Sequence, residues 1–118
     1  MTLITLEGMK VNAKSIPRTQ LVSLWKTLTH QPFPRVCAFQ LVDDDFERIL
    51  YFRKCREDER REKEEWGRVL STRGTDGCVF NADEFANIDF VILIRKNPYH
   101  SAREVLEHEL SHIARGDM

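Results

Sequence analysis

The sequence has few cysteines, no long apolar run and no basic leader, and each of these absences excludes a class of protein. Its three cysteines, Cys37, Cys55 and Cys78, are an odd number at wide spacing, which argues against a disulfide framework and favours a reducing compartment. No stretch approaches the roughly 18 apolar residues of a membrane helix, and the first residues lack the features of a signal peptide. The expected location is the cytoplasm, without a membrane partner.

The sequence also lacks an excess of positively or negatively charged residues. The 118 residues include 18 lysines and arginines against 19 aspartates and glutamates, a net charge of −1. Such a balance gives no overall attraction to nucleic acid, so no nucleic-acid partner is expected. Apolar residues make up 42% of the chain, and the length leaves room for one core. A single domain over residues 1–118 is therefore predicted, with its oligomeric state left open.

The hydrophobic pattern predicts both strands and helices. Alternating or uniformly apolar runs predict four strands, at residues 2–6, 35–42, 78–81 and 88–95. The last of these is apolar from Phe90 to Ile94, so both of its faces are expected to be covered. Helical spacing predicts a helix over 15–29 with Ser15 as its N-cap, and another that begins at the acidic residues 43–45. The charged segment 53–68 is most simply a solvated helix.

The most informative feature is the segment His108-Glu109-Leu110-Ser111-His112, an H-E-x-x-H motif. On a helix, residues four apart lie on one face, roughly 6 Å apart along the axis, so both imidazoles can bind the same zinc ion. Glu109 would then face the water that such an ion activates, and could act as general base. Two zinc-binding histidines and a glutamate base are the central parts of a zinc peptidase active site, so the motif predicts one.

The residues around the motif predict one helix over about 102–115. Ser101 and Glu104 form the S-x-x-E pattern of a capping box, and Gly116 offers a left-handed C-terminal stop. Helical spacing relates the apolar residues Val105, Leu106, Leu110, Ile113 and Ala114. A motif with three fixed positions also arises by chance, on the order of a few times in a thousand chains of this length. An exposed polar stripe is therefore the alternative to a zinc site.

Residues 88–117, a strand, a short turn and the H-E-x-x-H helix, resemble the catalytic half of a small zincin metallopeptidase. The segment H-E-L-S-H is similar to the active helices of gluzincin-like and ImmA/IrrE-type peptidases, and the resemblance covers about a quarter of the chain. It implies an α+β fold, in which a small mixed sheet packs against a backing helix and the active-site helix. The backing helix would be the one predicted over 15–29.

The same resemblance implies a function. Zn²⁺ would be bound by His108 and His112, and Glu109 would be the catalytic residue of a peptide-bond hydrolase. The substrate would be a peptide or protein, paired with the predicted strand 88–95 or with a neighbour of it at the sheet edge. A zincin-fold domain that is inactive or latent, and binds metal or a partner protein without hydrolysis, is the alternative. A domain with an accidental motif is a third interpretation.

A third zinc ligand is not evident from the motif, although a catalytic zinc normally has three protein ligands. The metzincin pattern H-E-x-x-H-x-x-G-x-x-H is not matched here, and the later helix that supplies an acidic ligand in gluzincins and ImmA/IrrE-type enzymes is absent. Asp117, just after the helix, is the expected metal ligand. A ligand downstream of this chain is one alternative, and an acidic residue such as Asp83 or Glu84 is the other.

Overall fold

The computed structural model describes residues 2–6, 8–60, 76–81, 87–96 and 101–116. Within these residues, five strands and three helices form an α+β fold. Their order along the chain is β1 (Thr2–Leu6), β2 (Met9–Ser15), α1 (Arg18–Leu28), β3 (Val36–Leu41), α2 (Asp43–Arg60), β4 (Gly77–Asn81), β5 (Phe90–Arg95) and α3 (Ala102–Arg115). The α+β class predicted from the sequence is confirmed.

The strands form one mixed sheet in the order β1-β2-β3-β5-β4. The central pair, β3 and β5, is parallel, and the three other pairs are antiparallel. Parallel strands need a long connection between them, and here the connection includes α2 and β4. The strongest predicted strand, β5, therefore lies inside the sheet, and β4 is its neighbour at the edge of the described sheet.

The sheet is covered on both faces. One face packs against α2, in a core of Leu6, Val11, Ala13, Leu41, Phe46, Ile49, Leu50, Val91 and Leu93. The other face packs against α1 and α3, in a core of Leu21, Leu24, Trp25, Val36, Ala38, Ile92, Ile94, Val105, Leu106 and Leu110. Since alternate β5 residues enter opposite cores, the expectation that both faces of this strand are covered is confirmed.

Ion pairs lie at both ends of the central parallel strands. Before them, Arg35 Nη2 and Asp89 Oδ1 are 2.9 Å apart, on the surface. At their other end, the side chain of Arg95, the last residue of β5, is 4% exposed, and it pairs with Glu47 at 3.2 Å and with Asp76 at 4.0 Å. The first residue of β4 is thus preceded by a buried aspartate that is tied to the end of β5.

The sequence-based predictions differ from the structure mainly near α1. The predicted N-cap Ser15 is wrong, because this residue ends β2 and pairs with Phe39 of β3. The helix begins instead at Arg18, with Pro17 in the N-cap position. Strand β2 is absent from the predicted elements, although its residues alternate between apolar (Met9, Val11, Ala13) and polar (Lys10, Asn12, Lys14), as in a strand with one buried face.

The other predicted elements are confirmed. The four predicted strands agree with β1, β3, β4 and β5 to within one or two residues at each end. The helix predicted from residue 43 is α2, which continues to Arg60, and residues 61–68 of the predicted solvated helix lie outside the described residues. Among the helices that the structure describes, none combines the length and apolarity needed to span a membrane.

Candidate metal centre

The helix that contains the motif begins and ends as the sequence predicts. Ser101 adopts an extended conformation, and its side-chain oxygen accepts a hydrogen bond from the Glu104 N–H at 3.2 Å. At the other end, Gly116 has φ = 70°, and its N–H donates to the carbonyls of the last turn. Both caps satisfy backbone groups that would otherwise be unpaired, so the position of the motif along the helix is well defined.

The motif spans the boundary between core and solvent. Leu106 and Leu110 are buried, and they fix α3 against the sheet and α1. His108 is exposed and His112 is half-buried, so both imidazoles lie at the rim of the helix. The buried side of α3 therefore fixes the helix in place, while both histidines remain accessible to solutes.

The two imidazoles converge. Their Nε2 atoms are 3.0 Å apart, and the rings are nearly perpendicular, with centroids 4.5 Å apart. Two nitrogens bound to one tetrahedral zinc at about 2.0–2.1 Å would lie about 3.3 Å apart. The same distance suits a hydrogen bond between the rings when one Nε2 carries a proton. A small movement of either ring would therefore allow both Nε2 atoms to bind the same zinc ion.

Glu109 lies on the inner side of the histidine pair. It is 6% exposed, and its side chain is next to Gly77 at the start of β4. Burial raises the pKa of the Glu109 carboxyl group, and the neighbouring His112 acts in the opposite direction. A carboxyl group whose pKa is raised toward neutrality is a better proton acceptor, which suits a general base.

The predicted site residues have different outcomes. His108, Glu109 and His112 are brought together by α3. Asp117 lies outside the described residues, so its role as third ligand stays a prediction, as does that of Asp83 or Glu84. Across the part of the chain that the structure describes, no group of three or more His, Cys, Asp or Glu side chains could hold a metal.

Sequence reasoning missed the contact between Gly77 and Glu109. The glycines of residues 71–77 predict a loop, whereas Gly77 is the first residue of β4. A glycine beside a strand pattern often marks the close approach of another element, and that signal was present. Of the two strands predicted to pair with a substrate, the strand 88–95 (β5) is itself paired on both sides, whereas its neighbour β4 lies at an edge of the described sheet.

Comparisons with known proteins identify no relative: no protein-family model, no curated protein and no solved structure matches the chain. The zincin resemblance is therefore a hypothesis that depends on the motif, its helix and the strands beside it.

Proposed function

We propose that this chain is a zincin-like, zinc-dependent metallopeptidase. The observation that supports it most directly is the convergence of the His108 and His112 Nε2 atoms, 3.0 Å apart at an exposed rim, beside the buried Glu109. The donor set fits a zinc ion, since neutral imidazoles are common zinc ligands. Zinc, when bound, would lower the pKa of water toward roughly 7 and polarise the scissile carbonyl.

Glu109 would move the protons. As general base it would take a proton from the attacking water, and as general acid it would give that proton to the amine that leaves. Its burial suits this role, because packing limits the movement of the side chain, and a base must be held within hydrogen-bond reach of the reacting water. The buried Leu106 and Leu110 supply the rigidity of the helix that holds it.

Two further parts of the site belong to this proposal, the third ligand and the strand that pairs with the substrate. Asp117 would be the third ligand, and it follows the left-handed turn at Gly116, which redirects the chain directly after the motif helix. A peptide substrate would pair with β4, the edge strand that contacts α3. An extended peptide there would lie beside the rim that bears both histidines.

Zinc analysis and peptide-hydrolysis assays of four variants test this proposal. The full chain is expected to bind about one zinc ion, and His108→Ala to lose it, whereas His30→Ala, at an exposed histidine elsewhere, should keep it. Peptide hydrolysis should be lost in Glu109→Gln with zinc retained. The matched control is Glu107→Gln, since Glu107 is half-buried and paired with Arg103 at 3.2 Å. A wild-type chain without zinc after reconstitution would contradict the proposal.

A second candidate function has one observation in its favour. The described residues offer two zinc ligands instead of three, which suits an inactive or latent zincin-fold domain that binds metal or a partner protein. Zinc bound by the wild type, with no hydrolysis that Glu109→Gln abolishes, would favour this alternative. The buried carboxyl group argues against it, because a structural zinc site has no need of a general base.

A further inference from the structure

Gly77 lies at the contact between β4 and α3. A Cβ atom added there would be 2.6 Å from Val105 Cγ1, 3.2 Å from the Leu93 carbonyl oxygen and 3.4 Å from Glu109 Cγ. Carbon atoms in contact are normally about 3.5–4.0 Å apart, so the first of these distances is a clash. Val105 is buried and β-branched, and such a residue in a helix has one strongly preferred rotamer, so it cannot turn aside.

The strand on the other side of this contact is fixed as well. Gly77 pairs with Ile94 of β5, and the Arg95 N–H donates to the Asp76 carbonyl at 3.0 Å. The Arg95 side chain is also paired with Asp76 and with Glu47 of α2. Because these bonds hold the start of β4 in the sheet, a side chain at position 77 would displace α3 and not the strand.

We propose that Gly77 is a positioning residue for Glu109, an inference that rests on the proposed function. Val105 and Glu109 are one helical turn apart, and both contact the space beside Gly77. A displacement at Val105 therefore moves Glu109, together with both histidines of the same helix, away from β4, the strand with which we propose that the substrate pairs. The spacing of His108 and His112 depends on the helix itself, so their ability to bind zinc is kept.

The test compares Gly77→Ala, Val105→Ala and the double variant, each as the full chain reconstituted with zinc. Gly77→Ala should retain zinc and lose kcat by roughly 100-fold with little change in KM, since a misplacement of about 1 Å can cost that much. The double variant should recover much of kcat, because Val105→Ala removes the atom that is 2.6 Å from the new Cβ. Val105→Ala alone is the control, because it destabilises the core without crowding and should keep kcat near the wild-type value.

An NMR measurement on the metal-free wild type gives a readout that does not depend on activity. Nuclear Overhauser contacts are expected from the Gly77 α protons to the Val105 methyl groups and the Glu109 γ protons, and the corresponding contacts should weaken in Gly77→Ala. Missing contacts in the wild type, or wild-type kcat in a zinc-loaded Gly77→Ala, would overturn the inference. Contacts present in a wild type that neither binds zinc nor hydrolyses peptides would instead refute the proposed function, and with it the positioning role of Gly77.

Discussion

Two glutamates contact opposite sides of the same sheet region, and their surroundings differ. Glu47 of α2 accepts a hydrogen bond from Arg95 at 3.2 Å, and 45% of its side chain is exposed. Glu109 of α3 is 6% exposed, and its burial raises the pKa of the carboxyl group beside His112. The first arrangement is typical of a structural ion pair, whereas the second costs stability, as functional groups often do. We therefore assign α2 to the scaffold and α3 to the proposed chemistry.

The largest expected effect is on peptide hydrolysis, which only one of the two glutamates should affect when it is substituted. In the zinc-loaded protein, Glu109→Gln should lower kcat by about 10²–10⁴-fold, the usual contribution of a general base. Glu47→Gln should leave kcat near the wild-type value, because Glu47 lies on the other face of the sheet. Peptide hydrolysis at fixed zinc occupancy is the measurement. Equal losses in the two variants would mean that the comparison does not separate catalysis from scaffold.

The next largest effect concerns the scaffold side. Arg95→Met keeps most of the side-chain volume but removes the cation that pairs with Asp76, which is 7% exposed. Removing one partner of a buried pair typically lowers the free energy of unfolding by about 3–5 kcal/mol, and a loss of this size is expected in urea titrations. Arg35→Met is the control, since Arg35 pairs with Asp89 on the surface and should cost much less. A similar loss in both variants would contradict the buried role of Arg95.

A smaller effect is expected at the start of the motif helix. Ser101→Ala removes the acceptor for the Glu104 N–H and should lower the free energy of unfolding by about 1 kcal/mol. Ser101→Asp provides a control, because aspartate also caps helices and should retain most of the stability. Zinc stoichiometry should not change in either variant, since the histidines lie beyond the first turn. Loss of zinc in Ser101→Ala would show that the site depends on the cap.

The best-predicted parts of the molecule have local causes. The bounds of α3 follow from Ser101 and Gly116, whose capping geometry depends on a few neighbouring residues. Strand β5 follows from its short, uninterrupted apolar run rich in β-branched residues, which is typical of a strand covered on both faces. The proximity of His108 and His112 also has a local cause, because helical spacing alone brings them together.

The parts that could not be predicted depend on contacts between distant segments. Strand β2 shows a local apolar–polar alternation, but its place in the sheet depends on its pairing with β1 and β3, and β3 is distant along the chain. Ser15 has the chemistry of a helix cap, but its pairing with Phe39 decides its conformation. The role of Gly77 depends on residues 105 and 109, far along the chain, so only the fold reveals it.

The smallest predicted effect is on the free energy of unfolding, and it has opposite signs for substitutions of the two glutamates. In metal-free protein at neutral pH, Glu109→Gln should raise the free energy of unfolding, whereas Glu47→Gln should lower it by leaving Arg95 with one carboxylate fewer. The Glu109 carboxyl group has a higher pKa when folded than its ordinary 4.5, so its ionisation opposes folding.

The pH profile of this gain is the sharper measurement. Below pH 4.5 the Glu109 carboxyl group is protonated in both folded and unfolded chains, so Glu109→Gln should give little advantage there. The advantage should grow as the pH rises from 4.5 through the folded-state pKa, and then stay constant. Urea titrations in the presence of a chelator, at several pH values, would show this. A gain that is independent of pH would mean that the introduced glutamine packs better for reasons other than charge, and that the burial of Glu109 imposes no electrostatic cost.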